Sequence, residues 1–352
     1  MKKLIKFLIL YMFLWGIVMY INPFSNDFKK EVIIENMQEE MKETMGVLVK
    51  SFNKYVMQED YLETEAAALG EKFIFSDISM GDSLEKVIET LGEPQRQDIS
   101  KYGFKWYIYN NDYTKYLQVG IKDGRVVGLY SNSPIWQSQR GLQIGSSREE
   151  VELFLGDALE YIKKGNTFYY LNCPDENSTY LINDYYATFF YDLHEEYKIS
   201  SVQLIDRTIE EGLHGFYGEL SEELRESFEK EVFDLANATR VRFGKSPLMW
   251  DEKGALASRK HSVDMANRRF FNHECPDGKG PSNRIEDEGI AWRKSGENIA
   301  AGQTSAIFAH ENWMNSIGHR ENLLGDFTKL GVGVHFGGDY HIYYTQNFYT
   351  PL

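Results

Sequence analysis

Six of the eight histidines fall after Phe228: His261, His273, His310, His319, His335 and His341. Imidazole is the side chain that most readily moves protons or ligates metals near neutral pH, so this third of the chain is where chemistry is expected. Ser316 stands three residues before His319. That spacing can pair a nucleophile with a base, but the same spacing is common by chance and no third orienting group is evident. His261 sits mid-helix among small residues and reads as a packed, hydrogen-bonded core histidine. The two cysteines, Cys173 and Cys275, form neither a disulfide framework nor a thiolate metal site by spacing.

These residues need elements to position them. Val232, Leu235, Ala236, Thr239 and Phe243 mark the buried face of a long helix that Gly244 stops. A second helix is expected over Ala255 to Asn267, with Leu256, Ala257, Val263 and Met265 inward. Four strings follow: Phe270-Phe-Asn-His273, Gly296-Glu-Asn-Ile-Ala300, Trp313 through His319 to Leu324, and Gly331-Val-Gly-Val334 opening a strand. Tyr343-Tyr-Thr-Gln-Asn-Phe348 closes the sheet.

In this order, with Asn237, Arg240, Pro247, Trp250, Asp264, Asp277 and Arg284 in the intervening places, these strings resemble the CAP superfamily of cysteine-rich secretory, antigen 5 and pathogenesis-related-1 proteins. The resemblance covers about 120 residues. It implies an α-β-α sandwich with a cleft holding two histidines and two glutamates. His273, Glu297 and His319 match three of the four, and Ser316 stands where the second glutamate belongs. Glu311, five residues before Ser316, would point elsewhere on a helix. The candidate cleft is therefore His273, Glu297, Ser316 and His319. His273, Glu297 and His319 are the candidate ligands for Zn²⁺ or another divalent cation, with a position left for water. The same groups can hold a polar head group, or form a buried polar network that fixes the sheet–helix junction.

The preceding region carries a weak repeat. Residues 78–92 and 142–156 align at a spacing of 64, matching Gly81 with Gly145, Ser83 with Ser147, Val87 with Val151 and Gly92 with Gly156. Each copy reads as a capped helix with a glycine stop, followed by aromatic, alternating segments. Asp123-Gly124 marks a hairpin turn. This layout is similar to the CAP-associated N-terminal domain of exported bacterial proteins. It shows no catalytic constellation, which points to an interaction or scaffolding module.

Upstream, Lys2, Lys3 and Lys6 precede an uncharged run, Phe7 to Ile21. The flanking charges hold that end in the cytoplasm, so the rest of the chain crosses the membrane. No small-residue cleavage pattern follows, so a retained anchor is expected, with secretion after signal cleavage as the alternative. Ile33, Met37, Met41, Met45, Leu48, Phe52 and Tyr55 then recur at helical spacing. They make either a dimeric stalk or a helix packed on the next domain.

The expected architecture is α+β. A membrane helix (1–22) and an acidic helical stalk (23–69) lead into a duplicated helix–hairpin domain (70–212) and the α-β-α sandwich (222–352). Net charge is −15, of which the segment from Phe228 onward contributes 15 Lys and Arg against 16 Asp and Glu. An acidic chain with no basic stripe excludes nucleic acid as a partner. The expected function is binding at the bacterial cell envelope, of a cation, a small amphipathic ligand or a protein partner, outside a membrane that the N-terminal helix engages. The alternative is a metal-dependent envelope hydrolase using His273 and His319.

Overall fold

The computed structural model describes residues 70–171 and 175–352. The expected anchor and stalk, and Cys173, lie outside the described residues. Among the described residues no helix is long and apolar enough to cross a membrane.

The first region contains β1 (Phe73–Phe75), α1 (Leu84–Leu91), β2 (Arg96–Ile99), β3 (Lys105–Tyr109), β4 (Leu117–Lys122), β5 (Arg125–Ser131) and β6 (Trp136–Ser138). It continues with α2 (Arg148–Leu155), β7 (Tyr161–Lys164), β8 (Thr167–Tyr170), β9 (Asn177–Ile182), β10 (Tyr185–Asp192), β11 (Lys198–Asp206) and α3 (Arg207–Gly212). Seven strands form an antiparallel sheet in the order β2-β3-β4-β5-β11-β10-β9. The two short helices are built alike. Ser83 and Ser147 cap them through Lys86 N and Glu150 N, and Gly92 and Gly156 end them with positive φ. Gly81 N donates to Val126 O on β5, and Gly145 N donates to Ile199 O on β11. The β4–β5 turn places Asp123 at φ 49° and Gly124 at φ 71°, the left-handed pair that the twist of a two-residue hairpin requires.

The second region contains α4 (Glu222–Arg242), β12 (Met249–Trp250), α5 (Glu252–Arg268), α6 (Pro281–Asp287) and β13 (Trp292–Ala301). It ends with α7 (Ala306–Asn315), α8 (Ile317–Leu323), β14 (Lys329–Phe336) and β15 (Ile342–Pro351). A four-stranded sheet, ordered β12-β14-β15-β13, lies between helical layers. Leu330, Val332 and Val334 face a core shared with α4 and α7. Gly331 and Gly333 face α5, where a Cβ would come within 2.0 Å of backbone atoms of Gly254 and Arg259. Alternation along one strand thus explains the Gly-Val-Gly-Val string: valine fills one face while glycine admits a helix on the other.

That close approach corrects one member of the expected inward face of α5, in which Ala257 and Met265 are buried as expected and Val263 is partly buried. Leu256 is 40% exposed. The sheet-facing stripe is instead Gly254, Ser258 and Ser262, whose hydroxyls donate to Gly331 O and Gly333 O, both at 3.0 Å. Small polar residues sit inside because the backbones leave no room for leucine.

One core runs through both regions. Phe104, Trp106, Tyr116, Tyr130 and Phe190 of the first pack in the same cluster as Phe228, Leu235 and Trp313 of the second. The seam is also strongly charged. Asp234 on α4 accepts from Arg96 at 2.6 Å, Tyr113 at 2.8 Å and Asn110 at 2.9 Å. Arg320 pairs with Asp192 at 2.8 and 2.9 Å.

Candidate functional site

The Gly296-Glu-Asn298 string lies in β13, which pairs with β15 in the sheet. Each member has a distinct task. A Cβ at Gly296 would meet Asn322 Oδ1 at 2.5 Å, so glycine lets α8 approach. Asn298 points that way and donates to His319 O at 3.1 Å, while Asn322 donates to Glu297 O and Asn298 Oδ1, both at 3.0 Å. Trp313 Nε1 donates to Ile299 O at 2.9 Å and is fully buried, which ties α7 to the same strand.

Glu297 has a side chain only 1% exposed. Its Oε2 accepts from Arg284 Nη2 at 2.6 Å, and its Oε1 lies 2.9 Å from His273 Nδ1. Both carboxylate oxygens are therefore engaged. The carboxylate is an acceptor, so His273 Nδ1 carries the proton and Nε2 is the nitrogen left to meet a ligand. The His273 side chain is 48% exposed. Arg284 is anchored in turn by donating to His273 O at 2.9 Å and Lys279 O at 3.0 Å.

His319 on α8 is half-buried, and its buried Nδ1 has no hydrogen-bond partner among the described residues. Burial pushes its basicity below the ordinary imidazole range, and His273 adds to the effect. Of the candidates from sequence, the structure thus joins His273 and Glu297 directly and brings His319 within electrostatic reach of His273.

Ser316 stands at the junction of two helices. It has φ −100° and ψ 117° between α7 and α8, and its carbonyl accepts from Arg320 N at 2.8 Å. No hydrogen bond joins its hydroxyl to His319 among the described residues. Glu311 faces away from the cleft, as its spacing predicts. It is buried at the seam and accepts from Ser201 at 2.6 Å, Ser200 at 2.8 Å and Tyr130 at 3.2 Å.

His261 is a core histidine, 0% exposed, with Nε2 3.2 Å from Asn272 O. Burial lowers its pKa to about 4. Sequence reasoning missed its surroundings. Among the described residues, His261, Asp264 and Cys275 are the one group of three His, Cys, Asp or Glu whose ligand atoms all lie within 4.8 Å of one another. That group shares no member with the His273, Glu297 and His319 set. The i, i+3 spacing of His261 and Asp264 was a visible signal, but only the fold brings Cys275 beside them.

Comparison with known proteins bears on the fold and the family. Residues 233–348 match the cysteine-rich secretory protein family, and residues 80–216 match the CAP-associated N-terminal family. The chain is 32% identical over 291 residues to YlbC, an uncharacterized membrane protein of Bacillus subtilis, covering 76% of this chain and 82% of that protein. It is 40% identical over 108 residues to YkwD, an uncharacterized protein of the same organism, covering 30% of this chain and 42% of the relative. An extracellular SCP-domain protein of Bacillus anthracis superposes with a TM-score of 0.67 at 28% identity, covering 77% of this chain and 93% of that one. A cysteine-rich secretory protein of Staphylococcus aureus shares the fold, with a TM-score of 0.59 at 17% identity and the same coverage.

Proposed function

Since the chain belongs to the CAP superfamily and carries the bacterial CAP-associated N-terminal domain, we propose that it is a membrane-anchored extracytoplasmic binding protein. Its cleft would take a cation or the polar head of a small amphipathic ligand between His273 and His319. The observation that carries this reading is the engagement of Glu297. Arg284 and His273 occupy both of its oxygens, so no free carboxylate is available as a general base. Glu297 acts instead as a positioning group that fixes the tautomer and tilt of His273. The unpartnered Nδ1 of His319 supplies a second polar contact that a ligand would complete.

The N-terminal apolar run supports the anchor, and the membrane-protein name of a long relative agrees with it. The first region supports a scaffolding role, since aromatic residues such as Phe104, Trp106, Trp136 and Phe189 pack into cores. A dimeric stalk and an envelope partner belong to the same proposal.

The test uses the immobilised full chain with cell-wall fragments and with vesicles of envelope lipids. Retention of either, lost in His273→Ala and His319→Ala, supports the binding reading. Metal-dependent hydrolysis of wall fragments, lost in the same variants, overturns it in favour of the hydrolase. Location is checked on intact cells: external protease removes the described domains from the membrane fraction, whereas a shortened chain in the medium overturns the anchor.

A further inference from the structure

We infer that His261, Asp264 and Cys275 form a divalent transition-metal site whose ligands differ from those of the His273–His319 cleft, although Arg284 contacts both Cys275 and Glu297 and His261 Nε2 lies 3.9 Å from Glu297 Oε1. His261 and Asp264 project from consecutive turns of α5, and Cys275 comes from the loop before α6. The imidazole is already oriented for ligation. Asn272 O can only accept, so His261 Nε2 carries the proton and Nδ1 presents a lone pair. That Nδ1 lies 3.7 Å from Cys275 Sγ. Tetrahedral zinc, with its usual bonds to nitrogen and sulfur, would separate these atoms by about 3.6 Å. The two atoms therefore stand at the spacing that one shared ion requires.

The surrounding charges fit an ion with soft and borderline ligands. A Cys275 thiolate and the Asp264 carboxylate together balance a divalent cation. Arg284, whose Nη1 is 3.3 Å from Cys275 Sγ, is itself neutralised by Glu297 at 2.6 Å. Arg268 holds Asp264 at 3.3 Å and Asp277 at 3.4 Å from the rim. His261 and Cys275 are buried, at 0% and 6% exposure, while Asp264 opens onto a pocket of about 350 Å³. Lys260, Lys279, Asp277 and Glu288 line its outer part. Three protein ligands from different chemical classes, with the fourth side open to this pocket, make a site that keeps a water or takes a small anion. A mixed nitrogen, oxygen and sulfur set favours zinc over calcium or magnesium, which take oxygen. Loading releases the thiol proton, so affinity rises with pH.

The test is Co²⁺ titration of the metal-stripped full chain, read by the thiolate-to-cobalt charge-transfer band. One equivalent of Co²⁺ should develop the band, and Zn²⁺ should bleach it. Cys275→Ser, close to isosteric, should abolish the band while the metal-free variant keeps a cooperative denaturant transition. Asp264→Asn should weaken binding by about tenfold or more. Cys173→Ser and His319→Gln should keep the band. No band at saturating Co²⁺, a band that survives Cys275→Ser, or a band lost in Cys173→Ser or His319→Gln overturns the site. Because ligand retention by the cleft is scored through His273 and His319, either proposal can fail while the other stands.

Discussion

The seam between the two regions and the proposed cleft beside β13 use similar residues in opposite ways. At the seam, charges are buried and saturated: Asp234 takes three donors and Glu311 three hydroxyls. In the cleft, Glu297 is saturated, but His273 is half-exposed and His319 keeps an unpartnered nitrogen. A saturated network resists change because every deletion leaves a buried charge behind. Unpartnered buried polar atoms occur in both places, Gln118 Oε1, Asn132 Oδ1 and His310 Nδ1 at the seam and His319 Nδ1 beside β13. What sets the second place apart is its half-exposed imidazoles, within reach of something from outside. On the proposed reading the contrast gives rigidity to the seam and binding to the cleft, with the first region packed against α7 through Phe190 and Glu311.

The largest effect should come from cutting the seam. The Arg320 side chain is 9% exposed and that of Asp192 is 5% exposed. Arg320→Met strands the carboxylate and should cost about 3–5 kcal/mol in a denaturant melt. A loss below ~1 kcal/mol would break the contrast, since the seam would then behave as an ordinary surface contact. Next in size is Gly333→Ala, whose new Cβ would lie 2.0 Å from Arg259 N. The cost expected from the same melt is about 3 kcal/mol, at the upper end of overpacking. It tests whether sheet–helix spacing, and not seam charge alone, sets the rigidity of the sandwich.

How much of this was legible beforehand follows the same division. The cleft residues sit within or next to contiguous strings, and Glu297 was identified through the resemblance of the Gly296-Glu-Asn298 string to the family pattern. The capped helices at Ser83 and Ser147 and the Asp123-Gly124 turn were also local signals. The seam was not legible. Arg96 and Asp234 are 138 positions apart, and Arg320 and Asp192 are 128 apart, so no periodicity or motif links them. Leu256 was misassigned for a related reason: hydrophobicity favours leucine inside, but a backbone approach of this closeness admits only glycine and serine. Cys275 reaches His261 through the chain reversal after α5, which a sequence read linearly does not display.

A smaller effect is expected in acid. Burial lowers the His310 pKa to about 3 from an ordinary value near 6.5. The folded state then binds fewer protons than the unfolded one. The contribution of His310 is full above about pH 6.5 and is lost as pH falls towards 3. By pH 5 the loss is about 2 kcal/mol. Glu231, raised to about 8 by burial, runs the other way: its contribution is full below about 4.5 and is lost as pH rises towards 8. The clean measurement is therefore the difference between the parent and His310→Gln across pH 7 to 5. The parent should lose more stability than the variant, and equal slopes would remove His310, whose Nε2 lies 2.8 Å from Thr239 Oγ1, from the acid titration.

The smallest stability effect should fall where the binding effect is greatest. His319 is half-buried, and its Nδ1 gives up no hydrogen bond on truncation. His319→Ala loses some packing but strands no partner, so its cost should stay near 1 kcal/mol or below. Its backbone carbonyl, which accepts from Asn298, is untouched by the change. Ligand retention should nevertheless disappear. Glu297→Gln separates the two roles further. It keeps the shape but weakens the bond to Arg284 and removes the acceptor that fixes His273 Nδ1–H, so it should lower both stability and retention. If His319→Ala destabilised the chain as much as Arg320→Met, the unpartnered nitrogen would be part of the scaffold, and the cleft would become an extension of the seam.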